Sequence, residues 1–439
     1  ILLYAALSLG LSACTTVAGS YYDAAVQHHS HGRLHEAIGE YDNATRMDHE
    51  YAIAYLNRGK AYAELGEFEN AIKDFSRHIE FNPKYAAAYR ELGQAQASLR
   101  QFEDAIKYLD KAINLDHLDS TAYTIRGNTY ANYGSLQLSL QDFDSAIKLA
   151  PDKSPAYHGR GDVYRRLGNY ALAIRDIEKS IHLNPNNPVP YNKLSAVFVD
   201  LGYPEKAIKE LNNAILLDPL DSTAHYARGF VRLNLSRNGK AVRDFDAAIE
   251  INQQDSKAYN GRGMAYFGLN RHNDAIQDFN KSIRLNNRDS TIFNSRGLAH
   301  YYVGETRKAI LDYSEAILLN PGYANAYNNL GVAYLSLGDL EISLSNFEKA
   351  IRLDNQNAAY YYSRGFFYLN QDNPERAIEN FNVAVQLNPT FALAYVERAK
   401  ANTLLGKDND AQHDIGRAVE LGTNATSLKI IIDGLKKQR

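Results

Sequence analysis

Residues 55–83 read YLNRGKAYAELGEFENAIKDFSRHIEFNP, and this stretch decides the fold. Tyr55, Leu56, Gly59, Tyr62, Ala63 and Leu65 recur at helical spacing, and Gly66 closes the run. A second apolar series follows, with Phe68, Ala71, Ile72, Phe75 and Ile79, until Asn82-Pro83 stops it. The stretch predicts two amphipathic helices joined by a short turn. Gly59 and Ala71 let the two backbones approach, while Tyr55, Tyr62 and Phe75 fill the space around them.

Working outward, the same pattern returns every 34 residues, twelve times, with no insertion or deletion. The aromatic position of Tyr55 is held by Tyr21, Tyr89, Tyr123, Tyr157, Tyr191, His225, Tyr259, Phe293, Tyr327, Tyr361 and Tyr395. Four residues later stands a small residue: Ala25, Gly59, Gly93, Gly127, Gly161, Ser195, Gly229, Gly263, Gly297, Gly331, Gly365, Ala399. Twelve further on stands Ala or Ser, as at Ala37, Ala71, Ser139 and Ser343. One such helix pair cannot bury its own apolar face, so neighbours must stack. The pattern resembles the tetratricopeptide repeat family from residue 18 to residue 425. The proline that family places near each unit's end is present as Pro83, Pro151, Pro185, Pro219, Pro321 and Pro389, and is replaced elsewhere, for example by His117, Gln253 and Asn355. Pro204 and Pro374 fall at the start of second helices, where proline is tolerated. The expectation is an all-α chain, and the resemblance implies a right-handed α-solenoid of twelve repeats with first helices lining a concave groove. Residues 426–439 are expected to form a C-terminal capping helix, polar on its outer face.

An arginine stands three residues after the aromatic position in eight units: Arg58, Arg126, Arg160, Arg228, Arg262, Arg296, Arg364 and Arg398. Sixteen residues further on, seven of these units carry Asp (Asp74, Asp142, Asp176, Asp244, Asp278, Asp312, Asp414), and Arg364 faces Asn380. Units lacking the arginine, with Ala24, Leu92, Leu194 or Leu330, never have Asp there. The coupling predicts contact across the helix pair and a structural role, against the alternative of phosphate or carboxylate binding.

The N-terminal end lies outside the repeats. Residues 1–11 form an apolar run too short to span a bilayer as a helix, and match the apolar part of a secretory signal. Leu11-Ser12-Ala13-Cys14, which contains the chain's single cysteine, resembles the lipobox of bacterial lipoproteins. That resemblance implies a signal at 1–13, a lipidated Cys14 opening a linker at 14–17, and outer-membrane attachment facing the periplasm. An ordinary cleaved signal, with a secreted or soluble periplasmic protein, is the alternative. Net charge is −3 with acids and bases interspersed, which gives no footprint for nucleic acid.

The inner face changes character along the chain. In the family, ligands contact residues one, five and eight after the aromatic position. The last two are polar or small in units two to five: Lys60/Ala63, Gln94/Ala97, Asn128/Ala131 and Asp162/Arg165. In units seven to eleven they become Phe230/Leu233, Met264/Phe267, Leu298/Tyr301, Val332/Leu335 and Phe366/Leu369, beside Tyr226, Asn260, Asn294, Asn328 and Tyr362. An apolar row with amides beside it suits an extended peptide or amphipathic helix, the amides pairing with backbone groups. The alternative is burial of the row between neighbouring first helices.

No phosphate-binding glycine loop, HExxH, GxSxG or CxxC occurs, and neither an enzyme nor a cofactor is expected. His28, His29, His31 and His35 form the only metal-like grouping, with Gly32 separating the last, and no metal site is expected. The leading expectation is a lipid-anchored scaffold binding protein or peptide partners, similar to outer-membrane tetratricopeptide lipoproteins of envelope assembly or proteolysis control. A self-associating homodimer and the regulatory arm of an enzyme complex are the other readings.

Overall fold

The computed structural model describes residues 17–437, which form twenty-five α-helices and, among the described residues, no strand. Residues 17–30 and Leu34–Met47 make the first helix pair, Ala52–Glu64 and Phe68–Phe81 the second, and the pairing continues to Asp408–Glu420. A final helix, Ala425–Lys436, follows. The chain divides into two compact units, one ending at Pro219 with repeats one to six, the other beginning at Leu220 with repeats seven to twelve.

Seven of the twelve pairs close on a glycine–ring contact, and in repeats three and five Leu109 and Ile177 take the place of the ring. A Cβ built on Gly59 would lie 2.7 Å from Cε1 of Phe75, one on Gly263 2.7 Å from Cε1 of Phe279, and one on Gly297 2.8 Å from Cε1 of Tyr313. The Cδ1–Cε1 side of the second-helix ring therefore lies against the first-helix backbone, in space that only a hydrogen leaves free. Phe75, Phe143, Phe245, Phe279, Phe347 and Phe381 are almost wholly buried, each ring contributing about 1.5–3 kcal/mol. Where Ser replaces Ala on the second helix, its hydroxyl repairs its own burial: Ser139 donates to the Gly127 carbonyl (2.6 Å) and Ser343 to that of Gly331 (2.8 Å). Pro204 and Pro374 each occupy the first turn of a second helix, as expected.

The coupled Arg and Asp positions touch. Arg58 donates from Nε and Nη2 to the two oxygens of Asp74 (2.7 and 2.6 Å), and Arg126, Arg262, Arg296 and Arg398 repeat this fork. Arg364 donates to Asn380 (2.8 Å). The remaining guanidinium nitrogen reaches back to the second helix of the preceding repeat: Arg58 to Asp42 (2.5 Å), Arg126 to Asp110 (2.5 Å), Arg262 to Asp246 (2.7 Å), Arg296 to Asn280 (2.7 Å). One arginine thus ties three helices from two repeats. Burial alone would lower Arg58, but its bonds and charge contacts to Asp74, then Asp42, outweigh it and hold the guanidinium above its ordinary value. Burial pushes the Asp74 carboxyl up, and Arg58 pulls against that rise. In repeats three, six and ten, Leu92, Leu194 and Leu330 fill the position and are buried.

The terminal helix is capped by Asn424, whose side chain accepts from the Ser427 N–H (2.9 Å). Leu428 and Ile432 pack on Tyr395, Val396, Ala399 and Ala418. Ile430 and Ile431 stay exposed, so the outer face is less polar than expected. Three consecutive isoleucines sweep too wide an arc for one buried stripe. No helix among the described residues is long and apolar enough to cross a membrane. Cys14 and the apolar run before it lie outside the described residues.

Gly263→Ala should cost about 1–3 kcal/mol through overpacking against Phe279, read as a lower denaturation midpoint at unchanged helicity. Arg262→Leu should cost about 3–5 kcal/mol because it strands buried Asp278. Adding Asp278→Asn, which recreates the Leu330/Asn346 combination of repeat ten, should recover most of that loss. Full stability of the single variant would contradict the structural role. His158 contacts the Ser180 hydroxyl (3.2 Å) and is lowered to about 4 by burial and then by Lys193. The unfolded chain takes this proton near pH 6.5, so stability should fall as pH drops from there to about 4, by about 3 kcal/mol in total. His158→Gln should flatten that slope in pH-dependent melts.

Candidate functional site

Within each unit the first helices of neighbouring repeats pack on one another, whereas second helices meet only helices of the first kind. First helices therefore line the inner side. In the second unit these include Ser222–Asn234, Ser256–Gly268, Ser290–Tyr302, Ala324–Leu337 and Ala358–Asn370. Adjacent first helices meet at an offset of 35 residues. Asn329 Nδ2 donates to Asn294 Oδ1 (3.0 Å), and the Tyr360 hydroxyl donates to Asn325 Oδ1 (2.7 Å).

None of the fifteen residues read from the sequence as the groove is buried, but they divide by position. Five after the aromatic position, Phe230 (42% exposed), Met264 (42%) and Phe366 (37%) protrude, while Leu298 and Val332 are half-buried. Eight after it, Leu233, Phe267, Tyr301 and Leu369 lean on the cores of their own and adjoining repeats. The protruding row is open and the flanking row is partly packed. Tyr226 stacks on Phe230 and Tyr362 on Phe366, each pair at 6.4 Å and 22°. Burial, and then the Glu397 carboxylate, push the Tyr362 phenol up to about 12.

The asparagines divide as well. Asn294 is occupied by Asn329, which takes it out of a uniform ladder. Asn260 and Asn328 have Oδ1 atoms without a hydrogen-bond partner.

The structure gathers Tyr301, Val332, Leu335, Tyr362 and Phe366 around one pocket of about 550 Å³ spanning repeats nine to eleven. Ser336, Gly338, Leu340, Phe347, Ser363, Asn370 and Gln371 complete it, and no charged side chain lines it. Sequence reasoning missed these seven because they sit beside the three positions followed along each helix or come from the turn and second helix. Ser336 and Asn370 share one repeat position, a signal that could have found them.

On the first helices of repeats two to five the inner face carries small and polar residues, whereas repeat six exposes Val199 there. Lys60, Ala63, Glu64, Glu91 and Gln94 border a smaller cavity of about 270 Å³. Arg165 pairs with Asp200 (2.7 Å) and Asp162 (3.3 Å), and Lys193 with Asp162 (3.3 Å), so charges there are matched within the protein. His29 Nε2 meets Glu64 (3.1 Å) and His31 Nδ1 donates to the Gln27 carbonyl (2.7 Å). Among the described residues no three His, Cys, Asp or Glu side chains gather closely enough to hold a metal ion.

Family models described as tetratricopeptide repeat match residues 52–85, 154–187, 256–289 and 324–357, residues 346–379, and residues 76–123, 90–154 and 193–256. A model described as TPR repeat matches 27–66 and 301–338. Together they span most of the chain. No curated protein matches it. Among solved structures, one from the APC/C hetero-tetramer Cut9–Hcn1 superposes with a TM-score of 0.52 at 13% identity, over 97% of this chain and 98% of that one. Yeast Tom70 gives 0.46 at 17% identity, over 96% of each chain. YrrB, described as a TPR protein with an unusual peptide-binding site, gives 0.33 at 25% identity, over 40% of this chain and 92% of that one. The twelvefold helix pairing and the family-model matches converge: the chain belongs to the tetratricopeptide repeat family of protein-interaction scaffolds.

Proposed function

We propose that the chain is a lipid-anchored scaffold that captures protein or peptide partners on the inner face of repeats seven to eleven. The observation that carries this reading is the protruding apolar row Phe230, Met264 and Phe366, repeated at one position along the inner face and lying beside an uncharged pocket. The anchor is Cys14, the single cysteine, standing directly after an apolar run in a lipobox-like context. Two or more acyl chains there, at about 0.8 kcal/mol per buried methylene, would hold the protein firmly. In this reading it faces the periplasm from the outer membrane and gathers partners for envelope assembly or control of proteolysis. The same protruding row favours a second reading, self-association into a homodimer.

Phe230→Ser, Met264→Ser and Phe366→Ser combined should remove the partner recovered by crosslinking from the native envelope, at unchanged helicity. Undiminished recovery would overturn the groove reading, and loss of a dimer seen by light scattering would favour the second one. Cys14→Ala should move the protein from the membrane to the soluble fraction; unchanged fractionation would remove the anchor from the account.

A further inference from the structure

The last helix, Ala425–Lys436, turns one face to repeat twelve through Leu428 and Ile432 and leaves the opposite face uncovered. With about 100° between successive residues, Ile430 lies opposite the midpoint of that buried pair. It is 68% exposed, more than Phe230, Met264 or Phe366 of the inner row, and Ile431 is exposed beside it. Ser427 stands one turn before Ile430 and Gly434 one turn after. A Cβ on Gly434 would meet nothing within 4 Å, so no packing inside the chain requires a residue that weakens a helix interior. Lys429 and Asp433 flank Ile430 on the side away from Ile431, both exposed, and neither enters an ion pair among the described residues. Lys436, by contrast, is taken by Asp408 (3.6 Å).

We infer that this face pairs with the same face of a second copy of the chain, the two last helices running antiparallel about a twofold axis between Ile430 and Ile431. A twofold contact is self-complementary, and in an antiparallel helix pair each flank meets its own counterpart. Ile430 and Ile431 then pack on their own copies. Ser427 lies across from Gly434 of the second copy, where the missing side chain lets the helices approach. On the other flank Lys429 stands opposite Asp433 of the second copy, and the axis repeats that pair. A parallel arrangement would set Lys429 beside Ile431 of the second copy, so the charges select the antiparallel one. One helix face is small against the roughly 1,200–2,000 Å² of a stable interface, so the dimer is reversible. The contact is separate from the inner face and does not depend on what binds there.

Cys14 is the chain's single cysteine, so Cys14→Ala gives a background in which one introduced thiol reports one contact. In that background Ile430→Cys should form a disulfide-linked homodimer when intact cells are mildly oxidised, and Met264→Cys on the inner face should not. Lys429→Glu sets a glutamate against Asp433 in both symmetric pairs and should lower the trapped fraction about tenfold. Adding Asp433→Lys makes the exchanged charges self-complementary again and should restore trapping, which a merely structural role of either residue would not do. Circular dichroism verifies that each variant is folded. The inference is overturned if Ile430→Cys gives no homodimer, if it joins a different protein instead, or if the charge variants leave trapping unchanged. Trapping at Met264→Cys alone would overturn it as well and would favour self-association through the inner face.

Discussion

The structure depends on close helix approach at one repeat position, which in seven of the twelve pairs sets a second-helix ring against the bare Cα of a first-helix glycine. Phe75 on Gly59, Phe279 on Gly263 and Phe381 on Gly365 set how closely two helices approach. That distance in turn fixes which residues face inward. With it held constant, successive pairs are nearly congruent and a 34-residue period tolerates no insertion. Phe143 and Phe245 are each held between two glycines, Gly127 and Gly159 for the first and Gly229 and Gly261 for the second, one from its own repeat and one from the next.

The arginine bridge adds coupling between repeats. In Arg58, Arg126, Arg160, Arg262, Arg296 and Arg398 the guanidinium fork matches an aspartate across its own pair, and the remaining nitrogen donates to the preceding repeat. A buried pair of this kind is weak evidence of net stability but strongly specifies register, since either partner alone would be left uncompensated. Repeats three, six and ten solve the same site with buried leucine. Polar and apolar solutions therefore coexist at one position, which marks it as framework.

Much of this was legible in the sequence because a repeat is its own alignment. Twelve copies exposed the glycine, the alanine and the Arg–Asp coupling, each tied to local geometry within one helix pair. The second partner of each arginine, such as Asp42 or Asp110, was missed although it too is offset by sixteen residues, in the opposite direction. Only the within-repeat direction had been followed. The inner face was read less well for a physical reason. Its exposure depends on how neighbouring repeats lean together, which separated Phe230 from Leu233 and occupied Asn294 while leaving Asn328 unpaired. The isoleucines of the last helix were misjudged likewise, because one buried stripe cannot hold all three.

Function, on this account, lies where congruent repeats differ, as the apolar inner face of repeats seven to eleven differs from the polar face of repeats two to five. Hydrogen exchange of the full chain, alone and bound to the protein recovered by crosslinking, tests this most directly. The account predicts slowed exchange in residues 324–337 and 358–370, with residues 154–200 unchanged. Protection confined to residues 154–200, or to the outer second helices, would contradict it.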